Sequence, residues 1–171
     1  VMMHPEFFKN KEYINRGIGG QTTPQMLLRF RQDVLNLNPK VVVILAGTND
    51  IAGNTGYTSE ENIIGNIKSM AEIANSNGIK VIISSILPAI EYLWKPGLGP
   101  ATKIIKINKE LKLFSDKNGF IYLDYHSAMV DEKGGLRVPD YTAANDLVHP
   151  NLNGYLVMEK LVEEAINKAL K

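Results

Sequence analysis

Val41-Val42-Val43-Ile44-Leu45-Ala46-Gly47-Thr48-Asn49-Asp50 joins a short, wholly apolar, largely β-branched run to a glycine and three polar residues. A strand buried on one face alternates apolar with polar residues. A run without that alternation suits a strand covered by helices on both faces, as in parallel sheets. Val81 to Ile86 and Phe120 to Leu123 repeat the pattern. Between these runs the apolar residues fall at helical spacing. Thr23 and Pro24 precede Met26, Leu27, Phe30 and Val34, predicting a helix to about Asn36. Thr58 and Glu61 form a capping box ahead of Ile63, Ile64, Ile67, Met70, Ala71 and Ala74, and that helix stops near Gly78. Pro100 opens a third, carried by Ile104, Ile107, Leu111 and Phe114, and Leu156 to Leu170 forms a last one. Strands alternating with helices predict an α/β fold, a three-layer α/β/α sandwich around a mainly parallel sheet. A weaker strand is expected around Tyr13 to Asn15.

With 171 residues and no linker or internal repeat, the chain reads as a single domain over 1–171. Lys plus Arg number 19 against 18 Asp plus Glu, so no overall charge draws it to polyanions and no nucleic-acid partner is expected. The absence of cysteine excludes disulfides, thiolate metal sites and a cysteine nucleophile. The longest apolar run, Val41 to Ala46, is far below the roughly 20 residues that span a bilayer, so no membrane span is expected. The opening residues Val1, Met2, Met3 and His4 do not read as a signal peptide, and a secreted or periplasmic location would need a leader upstream of them. His4 and His126 lack ligand-spaced partners, and nothing calls for a metal or cofactor.

Three clusters could carry chemistry: Gly17-Ile18-Gly19-Gly20-Gln21-Thr22, Gly47-Thr48-Asn49-Asp50, and Asp146-Leu147-Val148-His149-Pro150. Ligands of open parallel sheets bind beyond the carboxyl ends of the strands, where such loops gather. An imidazole exchanges protons near neutrality, so His149 suits a general base. Asp146, three residues earlier, can reach round a turn to hold its tautomer. Asn49 can aim its amide at a developing oxyanion, and Gly20 can present a backbone N–H where a side chain would block approach. Each feature also has a plain reading as a turn cap, a loop histidine or a turn glycine. Asp50 reads as structural, and Tyr92 and Trp94 as either site wall or packing over the sheet end.

In this order and separated by α/β units, Gly-Ile-Gly-Gly-Gln-Thr, Gly-Thr-Asn-Asp and Asp-x-x-His-Pro-Asn resemble the second, third and fifth sequence blocks of the SGNH, or GDSL, hydrolases. Arg16-Gly17-Ile18 and Leu45 to Asp50 look most like bacterial acetylhydrolase-like and lysophospholipase-like esterases. The resemblance implies a flavodoxin-like parallel sheet, His149 as base, Asp146 as its partner, and Gly20 and Asn49 as oxyanion donors. It implies hydrolysis of a small-molecule carboxylic ester with a small acyl group, on an acetylated carbohydrate or lipid. Gln21 stands where relatives often carry an aspartate.

The family's first block, a Gly-Asp-Ser segment after the first strand, does not occur here. Ser59, Ser69, Ser76, Ser84, Ser85, Ser115 and Ser127 all lie downstream of the glycine-rich block. The expectation is that a strand carrying the nucleophile belongs upstream in the sequence and lies at the sheet centre, between the weak strand at Tyr13 and the one at Val41. Two other readings stay open: a catalytically inactive module that keeps the pocket for a carbohydrate or other ligand, and a flavodoxin-like nucleotide binder holding phosphate at Gly17 to Thr22.

Overall fold

The computed structural model describes residues 4–9 and 11–171. Strands β1 (Val41–Ile44), β2 (Lys80–Ser84) and β3 (Ile121–Leu123) form a parallel sheet in the order β1-β2-β3, with Val42 opposite Val81 and Ile83 opposite Tyr122. Helices α1 (Thr23–Asp33), α2 (Thr48–Ala52), α3 (Glu60–Ser76), α4 (Pro100–Asn118), α5 (Tyr125–Met129) and α6 (Leu152–Ala169) surround it, with short 3-10 turns at Pro5–Phe8 and Leu35–Leu37.

Strand side chains alternate across the sheet, and both faces are covered. Val42, Ile44, Val81 and Ile83 pack into a core with Phe30 of α1, Ile63 and Ile67 of α3 and Ile104 and Ile107 of α4. Val41, Val43, Ile82 and Leu123 face the other way, onto Met129 of α5 and Met158 and Ala165 of α6. This is the three-layer α/β/α arrangement expected from the unbroken apolar runs.

Several boundaries differ from expectation. Tyr13 to Asn15 is irregular, because a strand needs a neighbour to satisfy its backbone groups and none among the described residues lies beside it. The cap of α3 is Ser59, whose hydroxyl accepts the Asn62 N–H, and not Thr58. Thr22, rather than Thr23, caps α1, its backbone N–H donating to Gln25 Oε1 at 3.0 Å. The last helix begins a turn early, at Leu152, because Asn151 accepts the Gly154 N–H. The short α2 and α5 carry too few residues to show a period.

Gly154 docks this last helix. A Cβ there would lie 2.8 Å from the Tyr141 carbonyl oxygen and 2.9 Å from Pro150 Cβ. That carbonyl already accepts the Asn151 N–H at 2.8 Å, so it is not free to yield. Gly154→Ala is expected to cost about 1–3 kcal/mol of stability through overpacking, read by chemical denaturation; unaltered stability would mean that α6 can slide away from the loop without penalty.

Candidate active site

The site grows from the carboxyl ends of the strands. After β1 the chain must turn sharply into α2, and Gly47 does so at φ +118, where an added Cβ would sit 2.5 Å from Ile86 Cδ1. That turn puts Thr48, Asn49 and Asp50 at the start of α2. Asn49 points back across the sheet end: its Nδ2 donates to the Gln21 carbonyl at 2.9 Å. Asn54, which sequence reasoning missed, donates to Asn49 Oδ1 at 3.2 Å and to the Gly20 carbonyl at 3.0 Å. It fixes which end of the Asn49 amide is oxygen and leaves one Asn49 N–H unused. Gly20 takes φ +79, and among the described residues its N–H meets no acceptor. Gln21 is held by Arg29 Nε at 2.6 Å, while Arg29 and Arg16 both pair with Asp33. The glycine-rich and Asn49 clusters therefore meet.

Asp50 does different work. It is buried, and its carboxylate accepts the Thr23 N–H at 2.9 Å and the Thr23 hydroxyl at 2.6 Å, so the donors at the start of α1 are already taken. A phosphate at the same helix end would have to compete with that carboxyl for the Thr23 donors, which argues against nucleotide binding at Gly17 to Thr22. Burial pushes the Asp50 carboxyl above its ordinary pKa, against the opposing Thr23 hydrogen bonds. With a raised native pKa the folded state holds the proton more tightly, so stability falls as pH rises from the ordinary carboxylate value through the native one and then levels. Asp50→Asn is expected to flatten that slope, whereas Asp50→Ala strands the Thr23 donors and costs about 1–3 kcal/mol. Urea melts of both variants at pH 4 and 7 check this; an unchanged slope in Asp50→Asn would assign it to another group.

The long segment after α5 supplies the histidine. Val148 and Pro150 are buried while His149 between them turns outward, its side chain 71% exposed. Asp146 Oδ1 accepts the backbone N–H groups of Val148 at 3.1 Å and His149 at 2.9 Å. The same carboxylate lies 2.9 and 3.1 Å from His149 Nδ1 through its two oxygens. Burial pushes the Asp146 carboxyl up, but the hydrogen bonds from His149 and Val148 outweigh it and hold it below its ordinary value. An ionised carboxylate only accepts, so Nδ1 carries the ring proton and Nε2 is left as the acceptor. Thr142 Oγ1 donates to the His149 carbonyl at 2.9 Å and ties down the backbone.

The segment between β2 and α4 connects the two halves. Tyr92 is fully buried and its hydroxyl donates to the Thr48 carbonyl at 3.4 Å. Trp94 stacks on Tyr92 with ring centroids 5.1 Å apart and an interplanar angle of 9°, and lies 6.1 Å from the His149 ring. Lys95 Nζ donates to the Ala52 carbonyl at the end of α2. Asn108 of α4 clamps the start of this segment, accepting the Ile86 N–H at 2.7 Å and donating to its carbonyl at 2.9 Å. Tyr92 is thus packing, and Trp94, 53% exposed, lies between it and the His149 ring.

No serine among the described residues hydrogen-bonds His149. Ser85 accepts the His126 N–H, Ser115 donates to Leu111, Ser127 bonds Asp124, and the buried Ser84 hydroxyl has no partner among the described residues. No described cluster of His, Asp or Glu could hold a metal ion, and no described helix is long and apolar enough to cross a membrane.

Comparison with known proteins points one way. Residues 4–157 match the family model described as GDSL-like Lipase/Acylhydrolase. The crystal structure of a protein assigned as an acylhydrolase from Bacteroides fragilis NCTC 9343 superimposes with a TM-score of 0.95 at 50% identity, covering 100% of this chain and 82% of that one. The platelet-activating factor acetylhydrolase IB subunit alpha2 of Rattus norvegicus is 31% identical over 170 residues, 97% of this chain and 69% of that protein. The lipoprotein YqeF of Bacillus subtilis (strain 168) is 34% identical over 131 residues, 75% of this chain; the match spans 45% of that relative's length.

Proposed function

Because this chain belongs to the GDSL-like lipase/acylhydrolase family, we propose that it forms the histidine-bearing part of a single-domain carboxylic-ester hydrolase that works by a Ser-His-Asp mechanism on a small acyl ester. The observation that carries the reading is the Asp146 carboxylate, which holds His149 Nδ1 through both oxygens and leaves Nε2 as the proton acceptor. In the first step a serine Oγ bonds to the acyl carbon while Nε2 takes the hydroxyl proton. The carbonyl oxygen becomes an oxyanion, which accepts from the Gly20 N–H and the free Asn49 N–H. The C–O bond then breaks, and the alcohol oxygen leaves with the proton from Nε2. Water, deprotonated by His149, attacks the acyl-serine; the acid departs and the serine regains its proton.

The serine, on this reading, rides on a further strand beside β1. The outer edge of β1 is unpaired in the described sheet, although Val41, Val42 and Val43 are apolar on both faces and packed on both cores. Such an edge is a pairing template, which supports a strand there. An acetyl group is supported by similarity to an acetylhydrolase, and an exported location by similarity to a lipoprotein. Treating the full-length protein with a serine-directed phosphonate is expected to label one serine in a strand preceding residue 13. Absence of any adduct on intact, folded protein would favour an inactive binding module.

A further inference from the structure

The segment between β2 and α4 closes into a tight turn. The Lys95 N–H donates to the Tyr92 carbonyl at 2.7 Å, and the Gly97 N–H donates to Glu91 Oε1 at 3.0 Å. Two side chains of this turn fasten it to the two ends of α2. The Tyr92 hydroxyl donates to the carbonyl of Thr48, the first residue of that helix, at 3.4 Å, and Lys95 Nζ donates to that of Ala52, the last, at 2.8 Å. Gly53 leaves room for the ammonium, since an added Cβ would lie 2.7 Å from Nζ. A third side chain, Trp94, meets the base: its ring centroid is 6.1 Å from that of His149, with the two planes inclined at 31°. Its stack on the buried Tyr92 ties the indole to the part of the turn fixed on α2. About half of the indole stays in solvent, so burial of apolar surface is only a partial reason for a tryptophan here.

Asn49 sits on α2 between those two anchors, whereas His149 comes from a loop far along the chain. A single acyl centre needs both, because the oxyanion donor and Nε2 must each come within hydrogen-bond reach of it. Asp146 grips the His149 ring only at Nδ1, and the side chain is 71% exposed, so this one pin leaves the far edge, with Nε2, room to swing. A flat ring beside the imidazole narrows that swing, provided the flat ring is itself held. We propose that Trp94 and Lys95 are positioning residues: the turn they share is braced on α2 and bears on the His149 ring, and so fixes the spacing between the base and the Asn49 donor. The inference rests on the esterase reading above and adds two residues to it. Trp94 acts through the His149 ring, and Lys95 acts through Trp94. Their loss therefore slows the chemical step and leaves ground-state binding alone.

Steady-state kinetics on p-nitrophenyl acetate with the full-length, serine-bearing protein test this. Trp94→Ala is expected to lower kcat by about 10- to 100-fold, as misplacing a reacting group by roughly 1 Å does, with KM within about twofold of wild type. Trp94→Phe keeps a flat ring and is expected to recover kcat to within about fivefold of wild type. Lys95→Met removes the Ala52 anchor. It is expected to lower kcat by about 3- to 10-fold alone and to add little in the Trp94→Ala background, because the two residues act through one ring. If Trp94→Ala loses its cooperative thermal melt, Lys95→Met, an exposed side chain, decides by the same kcat and KM criteria. A raised KM at constant kcat would make Trp94 a substrate contact, and wild-type kcat would make it packing. Trp94→Phe no faster than Trp94→Ala, or additive losses with Lys95→Met, would break the chain of contacts. Each of these overturns the proposal. The rate of labelling by the serine-directed phosphonate keeps it apart from the reading beneath it. A wild-type protein that takes no label sinks the esterase reading and the brace with it. A labelled wild type whose Trp94→Ala variant is labelled at the same rate discards the brace and keeps the esterase.

Discussion

Replacing His149 with alanine in the serine-bearing protein is expected to lower ester turnover by about 10⁴- to 10⁶-fold, because base, nucleophile and orienting carboxylate act as one unit. The same change is expected to leave the fold nearly untouched. The side chain is 71% exposed, and the ring's hydrogen bonds run only to Asp146 among the described residues. Surface substitutions of this kind usually shift stability by within about 0.5 kcal/mol. For a chain of this length that is about 1–2 °C in melting temperature. The neighbouring anchors stay in place, since Val148 remains buried and Thr142 still holds the backbone carbonyl at 149. Steady-state kinetics on p-nitrophenyl acetate alongside a thermal melt separate the possibilities. Wild-type turnover in a folded variant removes His149 from the mechanism, and a collapsed melt would make its role structural.

Asn49→Ala is expected to reduce kcat by about 100- to 1,000-fold with little change in KM, the signature of a group that stabilises charge present only in the transition state. In the resting protein the amide is already oriented, by Asn54 on its oxygen and by the Gln21 carbonyl on one N–H. The remaining N–H has no partner among the described residues and is free to donate to an oxyanion. Asn49→Asp should be at least as damaging, since a carboxylate has no donor to offer and adds like charge to the intermediate. If KM rises and kcat holds for Asn49→Ala, the side chain serves binding of the ground state instead, and the Gly20 N–H would be left as the main donor among the described residues.

The parts of this molecule that were legible in the sequence are those set by local periodicity. Val41 to Leu45, Val81 to Ile86 and Phe120 to Leu123 announce β1, β2 and β3 because a strand covered on both faces leaves no polar register. The stripes of Ile63, Ile67 and Met70, and of Ile104, Ile107 and Leu111, announce α3 and α4 for the matching reason at helical period. Asp146 and His149 were also readable as a pair, since a three-residue turn suffices to bring them together. Tyr13 to Asn15 is irregular because strand formation is a property of two segments and not of one, and no partner for it lies among the described residues.

What no local pattern could supply were the contacts between distant segments. Asn54 orienting Asn49 against Gly20 and Gln21, Tyr92 and Trp94 spanning from Thr48 to His149, and Asn108 clamping Ile86 all depend on loops meeting at one end of the sheet. Residue order decided the layers, because burying apolar faces is a demand each segment makes for itself. The tertiary structure alone decided how those candidate clusters meet, because a hydrogen bond between Asn54 and Gly20 has no signature in either segment taken alone.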